Sequence, residues 1–333
     1  DLANVPFYSS DRNADDPLVI AGGHCTYNPE PFADFIDIAV LGDGEEVVGE
    51  ISEIFTEWKR KNDPKKSRLQ LLEEMAGLPG VYVPSLYEAN FSSGRLLSIS
   101  PKEESSAPNI VEKRTITDLS DWPYPKNQLV PLTEVVHDRL NVEIFRGCTR
   151  GCRFCQAGMI TRPVREWPQE QVLTMVEEGL KRTGYDEVSL TSLSSADFSD
   201  IESVITEVMT QDACSPVSLS LPSLRVDAFT VNTAAQMQQA RRTGLTFAPE
   251  AGTWRLRNVI NKLISDDDLL AAVESAYSQG WRRVKLYFLV GLPTETDEDT
   301  LGIVSLAEKT LEIGRKYHKN PSVTVSVGGF VPK

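Results

Sequence analysis

Three cysteines, Cys148, Cys152 and Cys155, form a C-x3-C-x2-C array inside Arg146-Gly-Cys-Thr-Arg-Gly-Cys-Arg-Phe-Cys155. An apolar run leads into the array and a polar stretch leaves it, so it reads as a loop. A closed structural zinc site needs a fourth Cys or His, for which the distant His137 or Cys214 is the candidate. An iron–sulfur cube held by three thiolates leaves one iron open, and that corner is where chemistry can occur. A zinc ribbon shows two C-x2-C pairs. Here one pair carries a single extra cysteine, which favours the cube over a zinc knuckle or a redox thiol pair.

The array resembles the signature of radical S-adenosylmethionine (SAM) enzymes, C-x3-C-x-aromatic-C, with Phe154 in the aromatic place. The resemblance implies that Cys148, Cys152 and Cys155 hold a [4Fe–4S] cluster and that SAM chelates the open iron through its amino and carboxylate groups. It also implies one-electron cleavage of SAM to methionine and a 5′-deoxyadenosyl radical that modifies a substrate. Methyl transfer, with or without cobalamin, and methylthiolation are both compatible with the resemblance.

Such a loop needs a rigid base. From residue 138 onward, strand-like runs (141–145, 187–193, 217–221, 244–248, 283–290, 322–328) alternate with helix-like ones (169–182, 201–210, 231–242, 254–263, 267–279, 297–317). Regular alternation of this kind demands a parallel sheet with right-handed crossovers. Six units are too few for a closed eight-stranded barrel. The expected class is therefore α/β, with a partial (β/α)6 TIM-type barrel over 138–333, the radical SAM core architecture.

In parallel α/β barrels the working groups sit at the C-terminal strand ends. The second end, Thr191-Ser-Leu-Ser-Ser-Ala-Asp197, departs from the family's Gly-Gly-Glu, leaving Ser194, Ser195 or backbone carbonyls as its substitutes. The third, Ser220-Leu-Pro-Ser-Leu-Arg-Val-Asp227, resembles the family strand whose arginine meets SAM's carboxylate, here Arg225. The fourth, Phe247-Ala-Pro-Glu-Ala-Gly-Thr-Trp-Arg-Leu-Arg-Asn-Val-Ile-Asn-Lys262, is similar to the family's Glu-Ser-Gly-Ser and following helix. It implies that Glu250 meets SAM's amino or ribose groups and that Thr253 caps the helix. The fifth, Tyr287-Phe-Leu-Val-Gly-Leu-Pro-Thr-Glu295, is close to Phe-x-x-Gly-Leu-Pro-Gly-Glu, with Gly291 at the adenine and Thr294 where Gly is commoner. Without the resemblance, each of these ends reads as turn, cap or ion-pair chemistry.

Upstream, buried strands at 17–23 and 36–41 end in Gly22-Gly23 and Gly42-Asp-Gly-Glu-Glu46, and an amphipathic helix follows over 45–61. Residues 1–61 resemble the C-terminal part of a Rossmann-like cobalamin-binding domain, with Gly22, Gly23, Gly42 and Gly44 around the corrin's nucleotide tail. The cobalt-ligating Asp-x-His-x-x-Gly motif is not in the chain. A packing remnant that binds nothing fits these residues equally well. Residues 62–137 read as a linker region, with a hairpin or loop at 92–108 and an aromatic–proline strap at Asp121–Pro125. The chain starts at Asp1 and stops just past an apolar run, so both ends read as cut from something longer.

At 333 residues and a net charge of −14, non-specific binding to a polyanion is disfavoured. The imbalance is local. Residues 1–50 carry eleven Asp or Glu against one Arg, whereas 141–165 carry five Arg against Glu143. The plain reading of those arginines is that they hold loops and offset the cluster's negative charge. No apolar run reaches membrane-spanning length. Cysteine usage fits a reducing cytoplasm, with Cys25 and Cys214 as buried small hydrophobes. The expected partners are an RNA, protein or small-molecule substrate and an electron donor such as flavodoxin or ferredoxin. The rival class is a non-catalytic iron–sulfur or zinc protein that binds RNA or a protein partner.

Overall fold

Consecutive apolar residues form the first sheet. In the computed structural model, which describes residues 2–61, 67–210, 217–221 and 245–332, β1 (Ile20–Ala21) pairs in parallel with β2 (Ile38–Val40). The third strand, β3 (Val81–Tyr82), closes the sheet antiparallel. All three residues of β2 are buried, as a run without alternation requires. The helix Val47–Lys61 sets Val47, Ile51 and Trp58 into the core beneath the sheet. A capping box starts the next helix, Arg68–Ala76: Ser67 Oγ accepts from the Gln70 N–H, and the Gln70 side chain accepts from the Ser67 N–H. Its Leu71, Leu72 and Met75 complete the core. β4 (Tyr87–Ser92) and β5 (Arg95–Pro101) then form an antiparallel hairpin. Residues 1–117 make one unit of two, and the second runs from 118 to 333.

Two sequence expectations change here. The first strand is shorter than 17–23, and its Ile20 is exposed. Cys25 is also exposed rather than buried. The inward place goes to its neighbour Thr26, whose hydroxyl donates to the carbonyls of Gly23 and Val40 at 2.7 and 2.8 Å. Burial of Asp37 is matched by two cations, since its carboxylate accepts from Arg12 at 2.8 Å and Arg68 lies 3.1 Å away. An unmatched charge at that depth would cost several kcal/mol.

The second unit is built on parallel strands. β6 (Leu140–Glu143) continues through Ile144 into β7 (Phe145–Arg146), which pairs antiparallel with β8 (Arg165–Glu166). β9 (Glu187–Thr191) lies between β6 and β10 (Ser218–Ser220), parallel to both. A second parallel set follows, in which β12 (Arg283–Val290) lies between β11 (Leu245–Glu250) and β13 (Ser322–Gly329). Helices Gln169–Thr183 and Ile201–Thr210 start where their apolar spacing places them, and Asp297–Tyr317 starts at the capping box of Thr296 and Asp299. The helix expected at 231–242 falls outside the described residues. The helix from Trp254 ends at Val259 rather than Leu263, because the chain turns at Asn261 with φ of +54°.

Close approaches lock the second sheet. A Cβ on Gly252 would lie 2.2 Å from the Asp299 carbonyl oxygen and 2.5 Å from the Ile303 nitrogen. The turn after β11 therefore lies directly on the start of the helix Asp297–Tyr317. Gly252→Ala is expected to destabilise the protein by about 2 kcal/mol or more, because backbone must move. Thermal or denaturant unfolding of the variant checks this, and a wild-type midpoint would contradict it.

Candidate active site at the strand ends

The cysteine loop leaves β7 and returns at β8, so the ladder between them closes its base. Gly147 stands at φ +94°, and a Cβ there would meet the Pro163 carbonyl oxygen at 2.6 Å, so only glycine permits this exit. Cys148, Cys152 and Cys155 form no disulfide and are half-buried. The Gly158 N–H donates to Cys155 Sγ at 3.3 Å. A Cβ on Gly158 would reach Cys155 Sγ at 3.5 Å and Cys148 Cβ at 3.8 Å, so the outer cysteines flank one glycine. Among the described residues, no three His, Cys, Asp or Glu side chains gather around a single ion. A cube makes a different demand, one thiolate for each of three irons, and N–H donation to sulfur is among the contacts that tune such clusters. Three half-buried thiols on one glycine-bearing loop fit that donor set.

The loop is held from several sides. Phe154 packs against Ala251, Leu256, Ile260 and Leu292, with Leu289 and Phe330 at the rim, which brings it to the ends of β11, β12 and β13. The Arg153 N–H donates to the Ile260 carbonyl at 2.9 Å and its guanidinium to that of Val259 at 2.7 Å. The Asn261 amide donates to the Gly151 and Arg150 carbonyls at 2.9 and 3.3 Å. Toward β9, Arg150 forms a two-point ion pair with Asp197, whose N–H donates to the Ser194 carbonyl at 2.8 Å. Arg162 donates to the Cys148 carbonyl, Arg146 pairs with Glu143, and Arg165 is buried on the Pro163 and Thr161 carbonyls. All five arginines of the basic stretch are thus engaged in contacts within the chain.

At the end of β9 the two predicted serines differ. Ser195 is fully buried, with its hydroxyl between the Leu190 carbonyl at 3.2 Å and the Ser192 hydroxyl at 3.0 Å. Ser194 Oγ is equally buried and meets no partner among the described residues. A buried hydroxyl without a partner costs about 1–3 kcal/mol, so Ser194 is the serine suited to a ligand. Arg225 lies outside the described residues.

Glu250 ends β11 at φ +70°, a conformation that β-strand residues rarely adopt and that costs about 1–3 kcal/mol. Its carboxylate lies 3.6 Å from Lys262 Nζ, and both side chains are largely buried. Burial pushes the Glu250 carboxyl up, and Lys262 offsets only part of the rise. Thr253 caps the helix as expected, its hydroxyl accepting from the Leu256 N–H at 3.3 Å. At the end of β12, Gly291 takes φ +82° with open space where a side chain would be, and its N–H donates to Glu295 at 2.5 Å. Thr294 takes φ +66°, which explains why glycine suits that place better.

Arg255 clasps this turn, donating to the Thr294 carbonyl at 2.8 Å and pairing with buried Asp299. Burial pushes the Asp299 carboxyl up. The Arg255 guanidinium and the Thr253 and Thr296 hydroxyls outweigh that and hold it well below the usual carboxylate range. The Arg255–Asp299 clasp and the amide of Asn261 were missed by sequence reasoning. The only local signal for the second is an asparagine where a helix stops.

In the first unit, Gly42 has a structural occupation. It bridges to Arg114, whose carbonyl oxygen would be 2.0 Å from a Cβ there. Arg114 in turn pairs with Glu46 and Glu50 of the same turn and helix. Gly22 and Gly23 have nothing within 4 Å of a Cβ, and Gly44 has only Val48 at 4.0 Å.

A family model described as the radical SAM superfamily matches residues 142–307, and one described as the N-terminal part of radical SAM proteins matches residues 1–84. An uncharacterized protein of Methanocaldococcus jannaschii is 31% identical over 325 residues, which cover 97% of this chain and 61% of that protein. The chain thus spans about three fifths of the length of its curated relative. Among solved structures, TsrM of Kitasatospora setae, a radical SAM methyltransferase with cobalamin and a [4Fe–4S] cluster bound, superposes with a TM-score of 0.58. Its identity is 15%, over 94% of this chain and 55% of that one. OxsB, a cobalamin-dependent SAM radical enzyme with aqua-cobalamin and SAM bound, gives a TM-score of 0.59 at 11% identity. That match covers 92% of this chain and 44% of OxsB. At such identities the likeness is one of fold, a mixed α/β arrangement. Taken with the cysteine loop, the two family matches establish the conclusion: this chain belongs to the radical SAM superfamily.

Proposed function

We propose that this chain carries the core of a radical SAM enzyme, with a [4Fe–4S] cluster on Cys148, Cys152 and Cys155 and SAM on the open iron. One observation carries the reading. The three-thiol loop is fastened through Phe154 to the C-terminal ends of parallel strands, where the ligand-type residues Glu250 and Gly291 also stand. Two sets of three parallel strands in sequential order support a partial (β/α)6 barrel as the frame.

One-electron cleavage of the sulfonium's carbon–sulfur bond, which yields a hydrogen-abstracting radical, is the chemistry that cluster and SAM supply together when bound. The chain's own residues bind and orient. Glu250 offers a desolvated carboxylate to an ammonium or ribose hydroxyl. Ser194 offers a buried hydroxyl, and Arg225 is assigned to the SAM carboxylate. Gly291 leaves backbone and open space for a planar base. The apolar cluster around Phe154 excludes water beside the loop.

Cobalamin would meet the first unit at Gly22, Gly23 and Gly44, where little stands in its way, and no step is assigned to it. Gly42 is proposed with them, on a turn whose backbone its bridge to Arg114 holds. The substrate class stays open between RNA, protein and small molecule, and a flavodoxin or ferredoxin is the reductant proposed. No helix among the described residues is long and apolar enough to cross a membrane. Three of the five cysteines standing in one metal-type array suit the cytoplasmic placement proposed here. The engagement of all five arginines of residues 141–165 in internal contacts argues against the rival reading as a protein that binds RNA.

After anaerobic reconstitution the protein is expected to hold about four irons and four sulfides per chain. Cys155→Ala should lose most of both while keeping the far-UV spectrum of the parent. Zinc in place of iron, or an unchanged cluster in the variant, would contradict the proposal. SAM should perturb the EPR signal of the reduced cluster, and Glu250→Gln should raise the SAM concentration required by about tenfold or more. Because the Glu250 carboxyl is pushed up and its anion is the binding form, SAM binding should weaken as pH falls through that raised value. The fall should therefore begin at a higher pH than an ordinary carboxylate would give. A SAM titration that is flat down to the usual carboxylate range would remove Glu250 from the site.

A further inference from the structure

The helix Trp254–Val259 stops in a turn whose bonds follow the Schellman pattern. The Lys262 N–H donates to the Arg257 carbonyl at 2.8 Å, and the Asn261 N–H to that of Asn258 at 3.0 Å. Asn261 takes the left-handed place at φ +54°, where glycine is the ordinary residue. Asparagine brings what glycine lacks, an amide that donates to the carbonyls of Gly151 and Arg150, both between Cys148 and Cys152. Gly151 makes room for it: at φ +72°, a Cβ there would lie 3.4 Å from Asn261 Nδ2. The next residue faces another target, since Lys262 Nζ lies 3.6 Å from the Glu250 carboxylate. Two consecutive residues of one turn therefore hold the cysteine loop with one side chain and the strand-end carboxylate with the other.

We propose that the Asn261–Lys262 turn is a positioning clasp that fixes the distance between the cysteine loop and Glu250. It thereby sets where the amino-acid end of a sulfonium nucleotide can sit against the open iron. Neither residue touches the reacting atoms. This rests on the reading above, in which the loop takes the cluster and Glu250 meets SAM. Lys262 also offsets part of the burial that disfavours the Glu250 anion, so the carboxylate is held in place before a ligand ammonium arrives.

Asn261→Gly is the discriminating variant, because it preserves the helix stop and removes only the amide. A merely structural role predicts no loss from it. In the protein without cluster, backbone hydrogen exchange over residues 147–152 should quicken by about tenfold in Asn261→Gly, while that of the helix Asp266–Ser278 stays unchanged. After reconstitution, iron content should match the parent. The SAM-induced EPR change should need about tenfold more SAM in Asn261→Gly and in Lys262→Met, with Lys262→Arg restoring much of the loss. Parent-like loop exchange in Asn261→Gly overturns the tie to the cysteine loop, and a parent-like SAM midpoint overturns its effect on the nucleotide. A parent protein that takes no cluster overturns the functional reading beneath the clasp, while the exchange experiment still decides the tie.

Discussion

The docking of the cysteine loop on the end of β11 is the constraint from which the site follows. Three thiols on a loop of this length would sample many arrangements, and ordering each residue costs roughly 1–2 kcal/mol. That cost is offset by specific contacts. Phe154 enters a small apolar cluster formed where three strands end. Backbone carbonyls that the helix Trp254–Val259 leaves unsatisfied at its C-terminus accept from Arg153, and the turn beyond donates back through Asn261. The same contacts that finish the helix thus shape the loop.

Backbone strain is concentrated at the site. Glu250, Asn261 and Thr294 all take positive φ without being glycine, and they lie at the ends of β11, its helix and β12. Each is held by side-chain or backbone bonds: Lys262 at Glu250, the paired helix-end bonds at Asn261, and Arg255 at Thr294. Beneath them the Gly252–Gly302 approach leaves no room for a methyl group, so the turn after β11 cannot drift from the helix Asp297–Tyr317. Packing of this density makes the strand ends a fixed frame on which a cofactor could be set accurately.

Much of this was readable in the sequence, for physical reasons. The helix Asp297–Tyr317 begins and ends where its capping box and apolar spacing place it, and Ile201–Thr210 begins where its apolar spacing does, because those signals are local. The strand Arg283–Val290 is likewise local in origin. The cysteine spacing and the Glu250 context were legible as a pattern. Less legible were contacts made across a hundred residues of chain, such as Asn261 on Gly151, since nothing near either residue announces the other. Cys25 was misjudged because its neighbour Thr26 takes the inward position through two hydroxyl bonds. Gly42 was read from its turn alone, and nothing near it announces that its lack of a side chain also admits the backbone of Arg114, seventy-two positions later.

The central claim is an iron cube with one corner that belongs to SAM. Mössbauer spectroscopy of the protein reconstituted with iron-57 tests it most directly. The account predicts that one of about four iron sites changes its isomer shift and quadrupole splitting when SAM is added, while the thiolate-bound irons keep theirs. Four sites that stay alike with and without SAM, or no cluster spectrum at all, would contradict it.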